Sequence, residues 1–77
     1  MMHDQERDLL ETLMRVEGDK GEVRLEQSWS QSGDGIWACL VKRKKVWFVS
    51  SGPTRTAALA DAVRNRTEAA RRRNEQV

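Results

Sequence analysis

The chain has 77 residues, and its 14 Lys and Arg against 12 Asp and Glu give a formal net charge of only +2. This length fits one domain with a small core. No apolar run in the sequence is long enough to cross a membrane, and a single cysteine excludes an internal disulfide. The small total hides a division, because residues 1–38 carry a net charge of −5 and residues 39–77 one of +7. An acidic half joined to a basic half bears on binding partners rather than on fold.

The start of the chain is acidic and polar and contains no secretory signal, so a cytoplasmic location is expected. We predict a single domain over residues 1–77, with flexible ends at 1–3 and 74–77. Residues 4–16 are predicted to form an amphipathic helix. Its apolar stripe consists of Leu9, Leu10, Leu13, Met14 and Val16. Asp4 suits the N-cap and Gly18 ends the helix.

Three strands are predicted to follow the first helix. Residues 22–30 alternate between apolar and polar side chains, which is typical of a half-buried strand. The apolar runs 36–41 and 46–49 are separated by the four basic residues 42–45, which indicates a hairpin with a basic tip. This tip lacks the Asn-Gly signal of a tight turn, so its geometry stays open.

A second helix is predicted after residues 50–54, with Thr54 as its N-cap and Ser51 as the competing choice. Its apolar stripe is rich in alanine, and arginines fill the remaining positions toward the C-terminal end. The order is therefore α-β-β-β-α. We predict an α+β domain in which two helices pack on a three-stranded antiparallel sheet.

The hairpin carries enough apolar side chains for both faces of a sheet. With a loop of two or four residues, Val41 is expected to lie opposite Val46. One face then holds Ile36, Ala38, Leu40, Trp47 and Val49, and the other holds Trp37, Cys39, Val41, Val46 and Phe48. A three-residue loop exchanges the second-strand sets but leaves both faces apolar. Either the helices cover opposite faces, or both cover one face and a partner or second copy covers the other.

Residues that carry chemistry are sparse, and we predict a protein that is not an enzyme and has no catalytic, metal or cofactor site. His3 has no visible partner, and Cys39 lies in an apolar strand, where cysteine behaves as a small hydrophobe. Residues 33–35 precede a strand rather than a helix, which predicts a turn and not a phosphate-binding loop. No nucleophile, base and orienting residue occur together, and nothing indicates a small-molecule substrate.

After the hairpin comes Gly52-Pro53-Thr54-Arg55-Thr56-Ala57-Ala58, a Gly-x-Thr start to an Ala-rich helix. With this segment, residues 36–63 resemble the C-terminal half of a double-stranded RNA-binding domain, a family with both helices on one sheet face. The resemblance implies phosphate contacts at the start of this helix, where only Arg55 is basic and Thr56 and Leu59 take the other two positions. Ser32-Gly33-Asp34-Gly35 lacks the Pro and His of the family's minor-groove loop. The chain is also similar to small α/β sandwich domains encoded by phages, and to the antitoxin-type domains related to them.

Positive charge is concentrated at the hairpin tip and along the second helix. The candidate contact residues for nucleic acid or a protein partner are Lys42, Arg43, Lys44, Lys45, Arg55, Arg71, Arg72 and Arg73. Trp37 and Trp47 are the candidates for contact through a sheet face. A purely solvating role for these charges is the simplest alternative.

We predict a small protein-interaction or accessory protein, of the kind that phages and prophages encode. It would bind a protein partner, or a second copy as a dimer, through a Trp-bearing sheet face and charged helices. The alternative hypothesis is a nucleic-acid-binding module that uses the basic tip and the Arg-rich second helix. Helices lying side by side would pair the opposite charges within the molecule, whereas helices on opposite faces would give it one acidic and one basic side.

Overall fold

The computed structural model describes residues 4–18 and 21–75, which form two helices and three strands in the order α-β-β-β-α. The elements are α1 (Asp4–Glu17), β1 (Glu22–Trp29), β2 (Gly35–Arg43), β3 (Val46–Gly52) and α2 (Arg55–Glu75). The strands make one antiparallel sheet in the order β1-β2-β3, so β2 is central and the other two are edges. The predicted α+β architecture is confirmed. No helix in the described ranges is both long enough and apolar enough to span a membrane.

Helix α1 ends where the sequence predicts. Gly18 has a φ of 75°, a left-handed conformation that glycine adopts without steric strain, and the amide of Gly21 donates to its carbonyl oxygen at 3.3 Å. Of the predicted stripe, Leu13 is fully buried, and Leu9 and Leu10 pack against the same core. Val16 is partly buried, but Met14, also predicted for the stripe, is 57% exposed, so only part of the predicted stripe faces the core.

The hairpin tip is shorter than the four basic residues between the apolar runs suggest. Strand β2 continues through Lys42 and Arg43, so Lys44 and Lys45 alone make the turn. Val41 consequently lies opposite Phe48 and not opposite Val46, which pairs with Arg43. A shift of two residues preserves the face of every side chain, so the predicted division of the hairpin into two apolar faces is correct.

Helix α2 begins with the predicted cap. The Thr54 hydroxyl accepts a hydrogen bond from the Ala57 amide at 3.1 Å, and Ser51 lies within β3 instead. A Cβ on Gly52 would lie 2.7 Å from the Cβ of Ala57, closer than side-chain atoms approach. Glycine at position 52 therefore lets the first turn of α2 come close to the end of β3.

Both helices pack on the same face of the sheet, so the arrangement with the helices on opposite faces is wrong. The buried core consists of Leu13 of α1, Cys39 and Val41 of β2, and Ala58, Leu59 and Ala62 of α2. The helices run in the same direction, because Glu6 and Glu17 of α1 contact Arg55 and Arg66 of α2 in that order.

Helix α2 is longer than α1 and extends past its end. It has 21 residues against 14 in α1, and the surplus extends beyond the end of α1 toward the hairpin tip. The longest dimension of the molecule is 42 Å, and its radius of gyration is 12.8 Å, against about 11.5 Å for a compact chain of this length. The predicted flexible ends lie outside the described residues, except for positions 74 and 75, which belong to α2.

Candidate binding surface

The sheet face turned away from the helices, which we call the open face, carries an apolar stripe. Its members are Ile36, Ala38 and Leu40 on β2 and Trp47 and Val49 on β3. Leu40 and Val49 are paired in register. Val49 is 64% exposed and Trp47 is 37% exposed, whereas the three β2 side chains are partly buried. The open face is thus apolar surface in contact with water.

Charged side chains border the open face around Trp47. The guanidinium carbon of Arg24 lies 5.5 Å from the centre of the indole ring, and the Lys42 ammonium lies 5.6 Å from it. Both distances suit cation–π attraction, which restrains the ring on the surface. Glu22 is paired with Lys42 in the sheet, and Glu26 follows on the same side of β1. The rim therefore contains both signs of charge.

Trp37, the other candidate tryptophan, lies on the opposite face of the sheet from Trp47. It is partly buried against the core beneath the helices, and the guanidinium carbon of Arg55 lies 5.0 Å from its ring centre. The Arg55 Nε also donates to Glu6 Oε1 at 2.6 Å. Arg55 and Trp37 therefore belong to the contact between α1, α2 and β2, and the structure does not bring Trp37 to the open face.

A buried ion cluster closes the other end of the α1–α2 contact. The Glu17 carboxylate is fully buried and accepts hydrogen bonds from Arg66 Nε at 2.6 Å and Arg43 Nη1 at 3.4 Å. Arg43 Nη1 also donates to the Glu17 main-chain oxygen at 3.2 Å. Burial alone would raise the pKa of Glu17, but the hydrogen bonds and charges of Arg66 and then Arg43 outweigh it and lower that pKa. Arg43 is consequently committed to this cluster and is not a free cation of the hairpin tip.

Two of the remaining basic candidates meet at one end of the molecule, whereas Lys42 lies beside Trp47. Lys44 of the turn and Arg73 of α2 line the same groove, so the structure brings the hairpin tip and the C-terminal arginines together. Arg72 donates to Glu68 at 2.8 Å, and Arg71 also has an interaction partner. Lys45 is exposed beside Lys44. The predicted cations therefore divide into internally paired residues and a smaller cationic end.

Glu6, Glu17 and Arg66 are the buried charges that sequence reasoning missed. The signal was spacing, since Glu6 and Glu17 lie seven residues before and four residues after Leu13, on the buried side of α1. Arg66 likewise follows Leu59 by seven residues and Ala62 by four. Opposite charges on the inner stripes of two helices predict buried pairs between them.

Cys39 is fully buried, and burial raises its pKa to about 11, so the thiol stays protonated at neutral pH. No cluster of three metal-binding side chains occurs in the described ranges, and His3 lies outside them. Comparisons of the chain with protein-family models, curated proteins and solved structures return no match.

Proposed function

We propose that the protein is a non-catalytic binding module that docks a partner protein on its open face, around Trp47 and Val49. The observation that carries this proposal is the packing of both helices on the Cys39 side of the sheet, which leaves the opposite apolar stripe uncovered. An apolar centre with a charged rim is typical of interaction sites. Tryptophan is also among the residues enriched at the energetic centre of interfaces.

The size of the open face favours a different protein over a second copy of this chain. Strand spacing and rise make the two-stranded stripe on the order of 200 Å² in plan. Stable interfaces bury roughly 800 Å² on each partner. Two copies meeting only through this stripe would fall short of that area. A larger partner that also reaches around the exposed edge strand β3 would bury more surface.

The nucleic-acid hypothesis draws less support from the same geometry. Of the eight basic candidates, Arg43, Arg55 and Arg72 already have carboxylate partners. Neutralised guanidiniums release fewer counterions on binding phosphates, so they add little to affinity. Lys44 and Arg73 do converge, which keeps a polyanion among the ligands worth testing.

Photo-crosslinking from position 49, followed by binding measurements with the captured protein, tests the proposal. We expect Val49→Lys to lower the affinity at least tenfold, because the charge must be desolvated against an apolar partner surface. Ser28→Lys, on the same face of β1 but outside the stripe, is the matched control and should bind as the wild type does. Equal affinities for the two variants would contradict the proposal, and circular dichroism would verify that both remain folded.

A further inference from the structure

A groove opens where α2 runs past the end of α1 and overhangs the hairpin. Its volume is about 320 Å³, near the lower end of the roughly 300–1,000 Å³ typical of ligand sites. Val46 and Phe48 of β3 and Ala69 of α2 supply its apolar lining. Val46 is 53% exposed and Phe48 is 39% exposed. The groove therefore offers apolar surface that a ligand would remove from water.

The charged lining of this groove is entirely basic. Lys44 and Arg73 line it together with Arg43 and Arg66, and no acidic side chain does. Glu17, behind the groove, pairs with Arg43 and Arg66. Lys44 and Arg73 have no ion-pair partner among the residues that the structure describes. One carboxylate cannot neutralise four cations, so the groove retains a positive potential beside its apolar surface.

This combination fits an acidic peptide better than a nucleic acid or a second copy. The guanidinium carbon of Arg66 lies 3.8 Å from the Phe48 ring centre, so it already occupies the ring face on which a base would stack. A second copy carries a formal net charge of +2 and so offers no overall charge complementarity to a basic groove. An acidic segment with an apolar side chain satisfies both the cations and the apolar lining.

The position of the groove also favours an extended segment. It lies beside β3, an edge strand that has no strand neighbour on its outer side among the described residues. Extended peptides bind such edges through main-chain hydrogen bonds, and alternate side chains then enter neighbouring pockets. A segment beside β3 would direct its alternate side chains toward the groove and toward the open face.

We propose that the groove between β3 and the overhanging end of α2 binds an extended acidic segment that places an apolar side chain against Val46, Phe48 and Ala69. Carboxylates of the segment pair with Lys44 and Arg73. This inference rests on the proposed function, since it assigns the chemistry of the partner segment that passes around β3 from the open face.

Fluorescence anisotropy with synthetic peptides tests the inference. The probe is a labelled peptide of alternating Glu and Leu, compared with a Gln–Leu peptide, a Glu–Ser peptide and single-stranded oligo(dT). We expect the Glu–Leu peptide to bind at least tenfold more tightly than each of the other three, with an affinity that falls as salt is added. Equal binding of the Gln–Leu peptide would overturn the charge selection. Tighter binding of oligo(dT) would overturn the choice of a peptide.

Matched variants locate the binding to the groove. Lys44→Glu and Arg73→Gln should each weaken Glu–Leu binding at least fivefold. Lys45→Glu and Arg72→Gln, which change the same charges on the neighbouring residues, should leave it unchanged. Equal losses in both pairs would mean general attraction to a basic end of the molecule and would overturn the site.

Val49→Lys separates this inference from the proposed function. If the Glu–Leu peptide binds weakly but a crosslinked partner docks in a manner that depends on Val49, the groove inference is overturned. The proposed function then stays intact. If peptide binding depends on Lys44 and Arg73 while the affinity of the partner is unchanged by Val49→Lys, the result supports the groove. The same result contradicts docking on the open face.

Discussion

The charge of the buried Glu17 carboxylate depends on the two arginines that contact it. Its carboxylate is fully buried, yet it remains charged because Arg66 and Arg43 supply hydrogen bonds and positive charge. A buried ion pair contributes little net stability when complete, because desolvation offsets attraction. Removal of one partner is different, since it leaves the others buried and uncompensated.

We expect Glu17→Gln to lower the free energy of unfolding by about 3 kcal/mol, since Arg66 would remain buried without a counter-charge. Glu68→Gln is the matched control, because Glu68 pairs with Arg72 on the exposed side of α2, and it should lower stability by at most about 0.5 kcal/mol. Urea unfolding followed by Trp fluorescence measures both. Similar losses for the two variants would contradict the account of the buried cluster.

The lowered pKa of Glu17 also predicts a pH dependence. The unfolded chain binds this proton at a higher pH than the folded chain does, so stability from Glu17 is complete above roughly pH 5 and is lost as the pH falls through the folded pKa. The difference in unfolding free energy between wild type and Glu17→Gln should therefore shrink on acidification. A difference that stays constant from neutral to acidic pH would rule this out.

Single-residue roles were the hardest features to predict from the sequence. The spacing of Glu17 and of Arg66 places each on the apolar side of its own helix, but a charged residue there can lie at the edge of the stripe and reach solvent. Their burial depends on which helix lies beside which, and this is a tertiary property. Arg43 was assigned to a free basic tip because the strand boundary, which places it opposite Val46, depends on the turn.

Among the elements, the hairpin turn departs most from its expected sequence. Lys44 has a φ of 59°, and in the described residues it is the one non-glycine residue with positive φ. That conformation is strained for an L-residue with a Cβ, and two-residue turns usually place Gly, Asn or Asp there. Lysine at position 44 therefore carries a conformational penalty that glycine would avoid.

Lys44→Gly should raise the free energy of unfolding by about 0.5–1 kcal/mol, because relief of the left-handed strain exceeds the added entropy of the unfolded chain. Lys45→Gly gains no such relief and should be neutral or slightly destabilising. Thermal unfolding of the two variants side by side provides the measurement. A lower melting temperature for Lys44→Gly than for Lys45→Gly would contradict the assigned turn conformation.

The types and the order of the elements were predictable because each depends on the local periodicity of apolar residues and on the residues that start or end an element. The stripe around Leu13, the stop at Gly18 and the cap at Thr54 all act within a few residues of chain. The side of the sheet taken by the helices was not predictable, since the hairpin is apolar on both faces and either face could have formed the core. The buried face proved to be the one with Cys39 and Val41.

At the scale of the whole molecule, the acidic and basic halves of the chain are partly paired with each other. Glu6 binds Arg55, and Glu17 binds Arg66 and Arg43, so acidic residues of the first half meet basic residues of the second. The charge division is therefore partly a feature of helix packing. Lys44 and Arg73, which have no ion-pair partner among the described residues, lie where α2 extends past α1 and give that end its positive character.

The accessibility of the open face in the free protein is the premise of the proposed function, and the reaction of a Val49→Cys thiol with Ellman's reagent measures it most directly. Cys39, fully buried and with a pKa of about 11, serves as the unreactive internal reference. We predict one thiol per chain reacting within seconds in the native protein and a second only after unfolding. A Val49→Cys thiol that reacts as slowly as Cys39 would mean that this face is already covered, and would contradict the account.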